Sequence, residues 1–203
     1  MYLSKSPYLI KKYYQDLVWN TPNRMRKIYL TFDDGPTPGV TDWTLNILKQ
    51  YNIKATFFLI GNNIKQNPEI FEKIKIDGHA IGNHTYDHNN GWKTKDKDYI
   101  ESITNCHKLT HSKLFRPPYG RIRKAQVKLL KDDFKIVMWS VLSGDFDPKT
   151  SPEKCLKNVI KNTQPGSIIV FHDSVKAFDK LKYSLPKAID YLLAKGYVFD
   201  VIE

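Results

Sequence analysis

Cysteine is scarce in this chain, with only Cys106 and Cys155 among 203 residues. Two cysteines make no disulfide framework, and these two lack the close spacing of a thiolate zinc site. Both read as free thiols, which suits a reducing compartment. Long apolar runs are also missing, so no membrane-spanning helix is expected. Residues 1–20 carry Lys5, Lys11 and Lys12 with no continuous apolar stretch between them. No secretory signal is read there, and the cytoplasm is the default location unless a leader has been removed. Neither G-x-G-x-x-G nor a P-loop occurs, which leaves a nucleotide site without support. Internal repeats, low-complexity segments and an interdomain linker are absent, and 203 residues suit one domain with a sizeable core.

What is present begins with charge. The net charge is +11 at pH 7, against an ordinary 41% hydrophobic and 26% charged residues. Such a balance suits acidic partners, yet the lysines are scattered and form no long basic run. Nucleic-acid binding therefore has charge behind it but no motif, and is not expected.

Strand and helix patterns alternate along the chain. Strands are expected over residues 27–32, 55–60, 78–82, 114–116, 135–142, 167–171 and 197–202, with 135–142 the longest. Helices are expected after Thr41-Asp42 and Pro68, over 96–111 and 124–130, after Ser151-Pro152, and over 185–195. Seven strands separated by helices give an α/β fold built on a parallel sheet or barrel. Before them, Tyr8, Leu9, Ile10, Tyr13, Tyr14, Leu17 and Val18 form an apolar stripe of roughly helical spacing, expected to pack on the domain.

Five stretches carry the chemistry. Thr31-Phe32-Asp33-Asp34-Gly35-Pro36 ends a strand on two adjacent carboxylates, where α/β folds place their active groups. Taken alone it also fits an Asp-Gly turn. Next, His84 and His88 stand four residues apart in a loop after a strand. With one carboxylate, two imidazoles make a three-ligand metal site that keeps a position open for water. His79 reads as structural, and His107 with His111 as a solvated helix face. Arg116-Pro117-Pro118-Tyr119 places an arginine suited to paired hydrogen bonds with a carboxylate before a rigid turn. Ser143-Gly144-Asp145-Phe146-Asp147 follows the longest expected strand. Finally, His172 ends the apolar run 168–171, either as a buried structural histidine or as a general acid presented at a strand end.

In this order the motifs resemble those of the polysaccharide deacetylases of carbohydrate esterase family 4, which share a NodB homology domain. The resemblance runs from about Lys27 to the carboxyl terminus. It implies a distorted (β/α)7 barrel in a single domain, 27–203, with residues 1–26 as an amino-terminal extension packed on it. It implies Asp33 as general base, oriented by Arg116, and Asp34, His84 and His88 as ligands of a divalent metal. Zinc is the expected ion, with cobalt or nickel as alternatives. It further implies that the Tyr119 backbone N–H faces the oxyanion, and that His172, partnered by Asp145, is the general acid. The implied reaction is hydrolysis of the N-acetyl group of an N-acetylated sugar or polysaccharide, with a peptidoglycan- or chitin-like glycan as partner. An O-acetyl esterase on acetylxylan-like glycans and a non-catalytic glycan-binding protein are the other readings. Three positions depart from the family: Leu142 stands for an aspartate, Phe146 for a tryptophan and Val170 for a leucine. These bear on the substrate pocket more than on proton transfer. Trp92, in the loop after His88, fits either stacking on a sugar or anchoring its loop.

Overall fold

The computed structural model describes residues 2–22 and 25–203; Thr21-Pro22-Asn23, whose residue types mark the end of the amino-terminal extension in the sequence, lies partly outside them. The element order is α1 (Tyr8–Tyr13), β1 (Lys27–Asp33), α2 (Val40–Gln50), β2 (Thr56–Leu59), α3 (Gly61–Gln66), α4 (Pro68–Ile76) and β3 (Ala80–Asn83). It continues with α5 (Asp96–Thr110), β4 (Leu114–Phe115), α6 (Lys124–Leu130), β5 (Lys135–Ile136), β6 (Val141–Leu142), α7 (Pro152–Asn162), β7 (Ile168–His172), α8 (Phe178–Ala194) and β8 (Val198–Asp200). All paired strands are parallel, in the order β5-β4-β3-β2-β1-β7-β6, with β8 added against the first half of β1. This is the α/β fold with a distorted, curled barrel that the sequence implies.

β1 is the axis of the molecule, and its side-chain alternation explains both the core and the site. Ile28, Leu30 and Phe32 point outward into the main apolar cluster, where they meet Leu181, Leu185 and Ile189 of α8. Tyr29 belongs to a different cluster, with Phe58, Val137 and Ile168. Thr31 and Asp33 share the period of Tyr29, and so fall inside the curl. Both faces of the sheet are covered, which is why its strands read as continuous apolar runs.

The strand expected over 135–142 is two short strands at opposite edges of the sheet. β5 pairs with β4, β6 pairs with β7, and residues 137–140 cross between them. A largely apolar run marks burial but carries no sign of where a strand leaves its partner, so the break is set by tertiary contacts. The amino-terminal segment fills the gap. The Val18 N–H donates to Ile136 O at 2.9 Å and Val18 O accepts from Met138 N–H at 2.7 Å. On the other edge, Ser6 N–H donates to Ser140 O at 3.2 Å and Leu142 N–H to Ser4 O at 2.9 Å. Backbone groups that an open barrel would leave bare are thereby paired. Leu17 and Trp19 are buried in a third cluster with Ile136 and Met138. The helical stripe expected from Tyr8 onward is helical only over Tyr8–Tyr13, and none of those six residues is buried.

Other boundaries also differ from expectation. Thr41 is not a cap. α2 starts one residue earlier, and the Thr41 hydroxyl turns inward to Asp173 at 2.6 Å. Helix α3 gives no sequence signal. It is fixed from outside, its Gly61 and Asn62 N–H groups donating to Thr85 O and Tyr86 O at 3.0 and 2.9 Å. α8 begins about two turns before residue 185 and contains Pro186, its path dictated by buried Leu181 and Leu185. Of the pair expected on a solvated helix face, His111 is exposed and His107 is half-buried, its ring packed edge-on against Phe134 at 5.4 Å. Cys106 and Cys155 are free and buried, their thiols pushed up to about 12 mainly by burial. Among the described residues no helix is long and apolar enough to cross a membrane.

Candidate active site

The end of β1 sends its two carboxylates in different directions. Asp33 stays in the strand and points into the curl. There the Arg116 Nη1 donates to Asp33 Oδ1 at 2.6 Å and to Thr31 Oγ1 at 2.7 Å. The Arg116 side chain is fully buried. Its Nε and Nη2 donate to Val137 O and Met138 O at 3.2 and 3.0 Å, and its guanidinium lies 4.0 Å from the Phe58 ring centroid. A buried guanidinium is tolerable only when its donors are satisfied and its charge is paired, and here both conditions hold. Burial pulls its pKa down, the Asp33 carboxylate pulls it back, and the group remains a cation.

Asp34 leaves the strand with φ of 84°, so its side chain diverges from that of Asp33. Its Oδ1 lies 3.2 Å from His88 Nε2 and 3.8 Å from His84 Nε2, while its Oδ2 accepts from Lys176 Nζ at 3.1 Å. Burial opposes its ionisation. The hydrogen bond from His88 and the charge of nearby His172 outweigh burial and hold the carboxyl well below the usual range. Thr85, His88 and Tyr119 also have positive φ, so four of the seven described non-glycine residues of this kind are in the site loops. Such conformations are costly and persist only where surrounding contacts impose them.

The donor set fits a divalent metal. His84 is buried, which pushes its pKa down to about 4 against the pull of Asp33, so the ring is neutral. Its Nδ1 contacts Arg116 O at 2.8 Å, and a proton there leaves Nε2 as the free lone pair facing Asp34. Ligands bonded tetrahedrally at about 2.0–2.1 Å stand about 3.4 Å apart. The 3.2 and 3.8 Å separations bracket that value, and all three ligand atoms lie within 4.8 Å of one another. Asp34, His84 and His88 are the one such cluster among the described residues. Two imidazoles and a carboxylate suit zinc, cobalt or nickel better than calcium or magnesium.

His172, at the end of β7, is beside Asp33 in register on the neighbouring strand. Asp145 grips it twice, Oδ1 accepting from Nδ1 at 2.8 Å and Oδ2 from the His172 backbone N–H at 2.8 Å. Burial pushes the imidazole pKa down, but Asp145, with help from Asp34 and Asp33, raises it to about 9. With Nδ1 held by Asp145, Nε2 is the nitrogen left to give a proton away. The site thus holds a neutral histidine beside Asp34 and a protonated one across from it.

These groups open into one cavity of about 970 Å³, shared by Asp33, Asp34, His84, His88, Tyr119 and His172. Tyr119 is exposed, with its ring 4.6 Å from that of His88. Leu142, Phe146 and Val170, the three departures, all line the cavity. The Phe146 ring meets the His172 ring edge-on at 5.1 Å and the Tyr2 ring at 5.3 Å. Trp92 donates its indole N–H to Ile122 O at 3.1 Å, yet half of its surface is exposed.

Three residues escaped the sequence reading. Asp173 is buried behind the β1 turn, accepting the Gly35 N–H at 3.1 Å and the Thr41 hydroxyl at 2.6 Å. A Cβ on Gly35 would come within 2.1 Å of it, which is why glycine follows the two aspartates. Burial pushes this carboxyl up to about 8. Its position directly after His172 was the available signal. Lys176 was indistinguishable from the other surface lysines, and Tyr2 gave no signal at all.

The profile of the family described as polysaccharide deacetylase matches residues 20–133. A peptidoglycan-N-acetylglucosamine deacetylase of Bacillus cereus is 33% identical over 194 residues, covering 92% of this chain and 91% of that protein. Another protein of that name from the same organism is 39% identical over 175 residues, covering 79% of this chain. The match spans 63% of that longer relative. Among solved structures, the Bc1960 peptidoglycan N-acetylglucosamine deacetylase in complex with 4-naphthalen-1-yl-N-oxidanyl-benzamide superposes with a TM-score of 0.88 at 34% identity. That match covers 97% of this chain and 95% of the other.

Proposed function

The chain belongs to the polysaccharide deacetylase family, and we propose that it hydrolyses the N-acetyl group of an N-acetylated glycan, releasing acetate. The observation that carries this reading is geometric: Asp33 on Arg116, His172 on Asp145, and the Asp34, His84 and His88 cluster all open into one cavity. A divalent ion on Asp34, His84 and His88, zinc by the donor chemistry, would acidify a water toward a pKa of about 7 and polarise the acetyl carbonyl.

The protein's own groups then have distinct tasks. Asp33 accepts a proton from the attacking water, with Arg116 fixing its orientation and balancing its charge. The Tyr119 backbone N–H serves as a donor to the developing oxyanion. His172 gives its Nε2 proton to the departing nitrogen, and Asp145 holds the ring in the tautomer that permits this. An amide needs that proton because an amine anion is a very poor leaving group. An ester's alkoxide needs it less, so this acid pair favours N- over O-deacetylation. The names of the relatives support a peptidoglycan-type substrate, with chitin-like oligomers as the nearest alternative.

The test is acetate release from N-acetylglucosamine oligomers, peptidoglycan fragments and acetylxylan, with metal content measured alongside. Release from the first two with a stoichiometric divalent ion is the expected result. Release from acetylxylan alone would make the protein an O-acetyl esterase. Glycan binding without any acetate release would make it a binding protein.

A further inference from the structure

Resting on the deacetylase reading, we propose that the amino-terminal segment builds an accessory sugar subsite. The face of α1 carrying Leu9, Ile10 and Tyr13, together with Trp92, receives the rings that adjoin the sugar being deacetylated. Helix α1 is too short to be stable alone and buries none of its residues, although four of its six are apolar or aromatic. Leu9 is 76% and Tyr13 59% exposed. The segment is nevertheless fixed at both ends, by the Ser4 and Ser6 hydrogen bonds to the β6 edge and by buried Leu17 and Trp19. A rigidly held, exposed apolar face of this kind marks a binding surface.

Its occupant is indicated by continuity with the candidate active site. The cavity that holds Asp34, His84 and His88 runs on past Trp92 to Leu9, Ile10 and Tyr13. The Tyr14 hydroxyl and the Trp92 indole both donate to Ile122 O, at 2.9 and 3.1 Å, so the end of α1 and the Trp92 loop meet at one carbonyl. At about 970 Å³ the cavity is at the upper end of the roughly 300–1,000 Å³ of ligand pockets. One acetylated sugar would leave much of it empty. Pyranose rings present C–H faces to aromatic and aliphatic groups and hydroxyls to cations. Here Arg121 stacks on Trp92 at 3.9 Å and Lys124 caps Tyr13 at 3.8 Å, supplying those donors beside the apolar faces.

The experiment measures kcat/KM on N-acetylglucosamine oligomers from dimer to hexamer and on peptidoglycan fragments of matched length. The double variant Leu9→Ser/Ile10→Ser and the single variant Tyr13→Ala are compared with wild type. On the longest substrates the variants should lose about ten- to a hundredfold, the worth of one or two buried apolar side chains. The loss should be in KM and shrink with shortening chains, at unchanged metal content and melting temperature. No deficit, or one equal at every length, would overturn the subsite. A wild-type dimer that the double variant dissociates would assign the face to a second copy instead. No acetate from any of these substrates with wild type would remove the deacetylase reading, and this proposal with it.

Discussion

On the floor of the cavity Asp33 and His84 are buried and tied by short hydrogen bonds to Arg116 beneath them, whereas on its wall Leu9, Tyr13 and Trp92 stand exposed. The floor carries charge in a dry setting, where a missing partner is expensive and geometry is over-determined. The wall carries apolar surface that water touches, where a missing side chain removes contact and little else. Chemistry and recognition are therefore separable here, and variants should sort accordingly.

The largest effect is expected at the metal ligands. His84→Ala should abolish both acetate release and stoichiometric metal binding, measured by elemental analysis of the purified protein. Full metal occupancy in that variant would show the ligands to be misassigned. Next comes Arg116→Met, which leaves the Asp33 carboxylate buried and unpaired. It should cost about 3–5 kcal/mol in urea unfolding as well as activity. Adding Asp33→Asn should return part of the stability and none of the activity. A single variant as stable as wild type would mean that Asp33 finds water or another donor.

His172→Ala tests the acid apart from the metal. It should keep its zinc and lose about 10²–10⁴-fold in kcat on an N-acetyl substrate. The loss should be much smaller on an activated aryl acetate, whose leaving group needs no proton. Asp145→Asn should be a milder version. Equal losses on both substrates would disprove the assignment of His172 as acid.

The same histidine links stability to pH. Its folded pKa of about 9 exceeds the ordinary 6.5. The stabilisation it provides is therefore complete below about pH 6.5 and is lost as the pH rises through about 9, amounting to about 3 kcal/mol at most. Unfolding free energy should fall across that window in wild type and fall less in His172→Ala. Parallel curves for the two proteins would mean that the Asp145 pair does not hold the proton. The smallest change is expected at the wall, where Trp92→Ala should raise KM several-fold, the scale of about 1 kcal/mol, and leave metal content intact. A collapse of kcat instead would mean that the Ile122 hydrogen bond of Trp92 supports the floor.

The sequence by itself placed the candidate groups at strand ends and in the loops that follow, because those are local features, and that they converge on one site followed from the family resemblance. The strand over 27–32 is broken by Gly35-Pro36, so two carboxylates stand at its end. His84, His88, Arg116 and His172 were likewise legible as polar groups closing apolar runs. Tertiary structure decided the rest. The positive φ of Asp34 splits the carboxylate pair, turning Asp33 to Arg116 and Asp34 to His84 and His88, and although aspartate enters this region more readily than most residues, nothing in the local sequence requires it. The division of 135–142 between two sheet edges depends on pairing with residues 4–6 and 18, far away in the chain. Asp173 and Lys176 acquired their places by packing against a loop about 140 residues earlier. Hydrophobic pattern records how deeply a residue is buried but not which distant partner buries it, and the floor of the cavity and its wall are both made of such distant pairs.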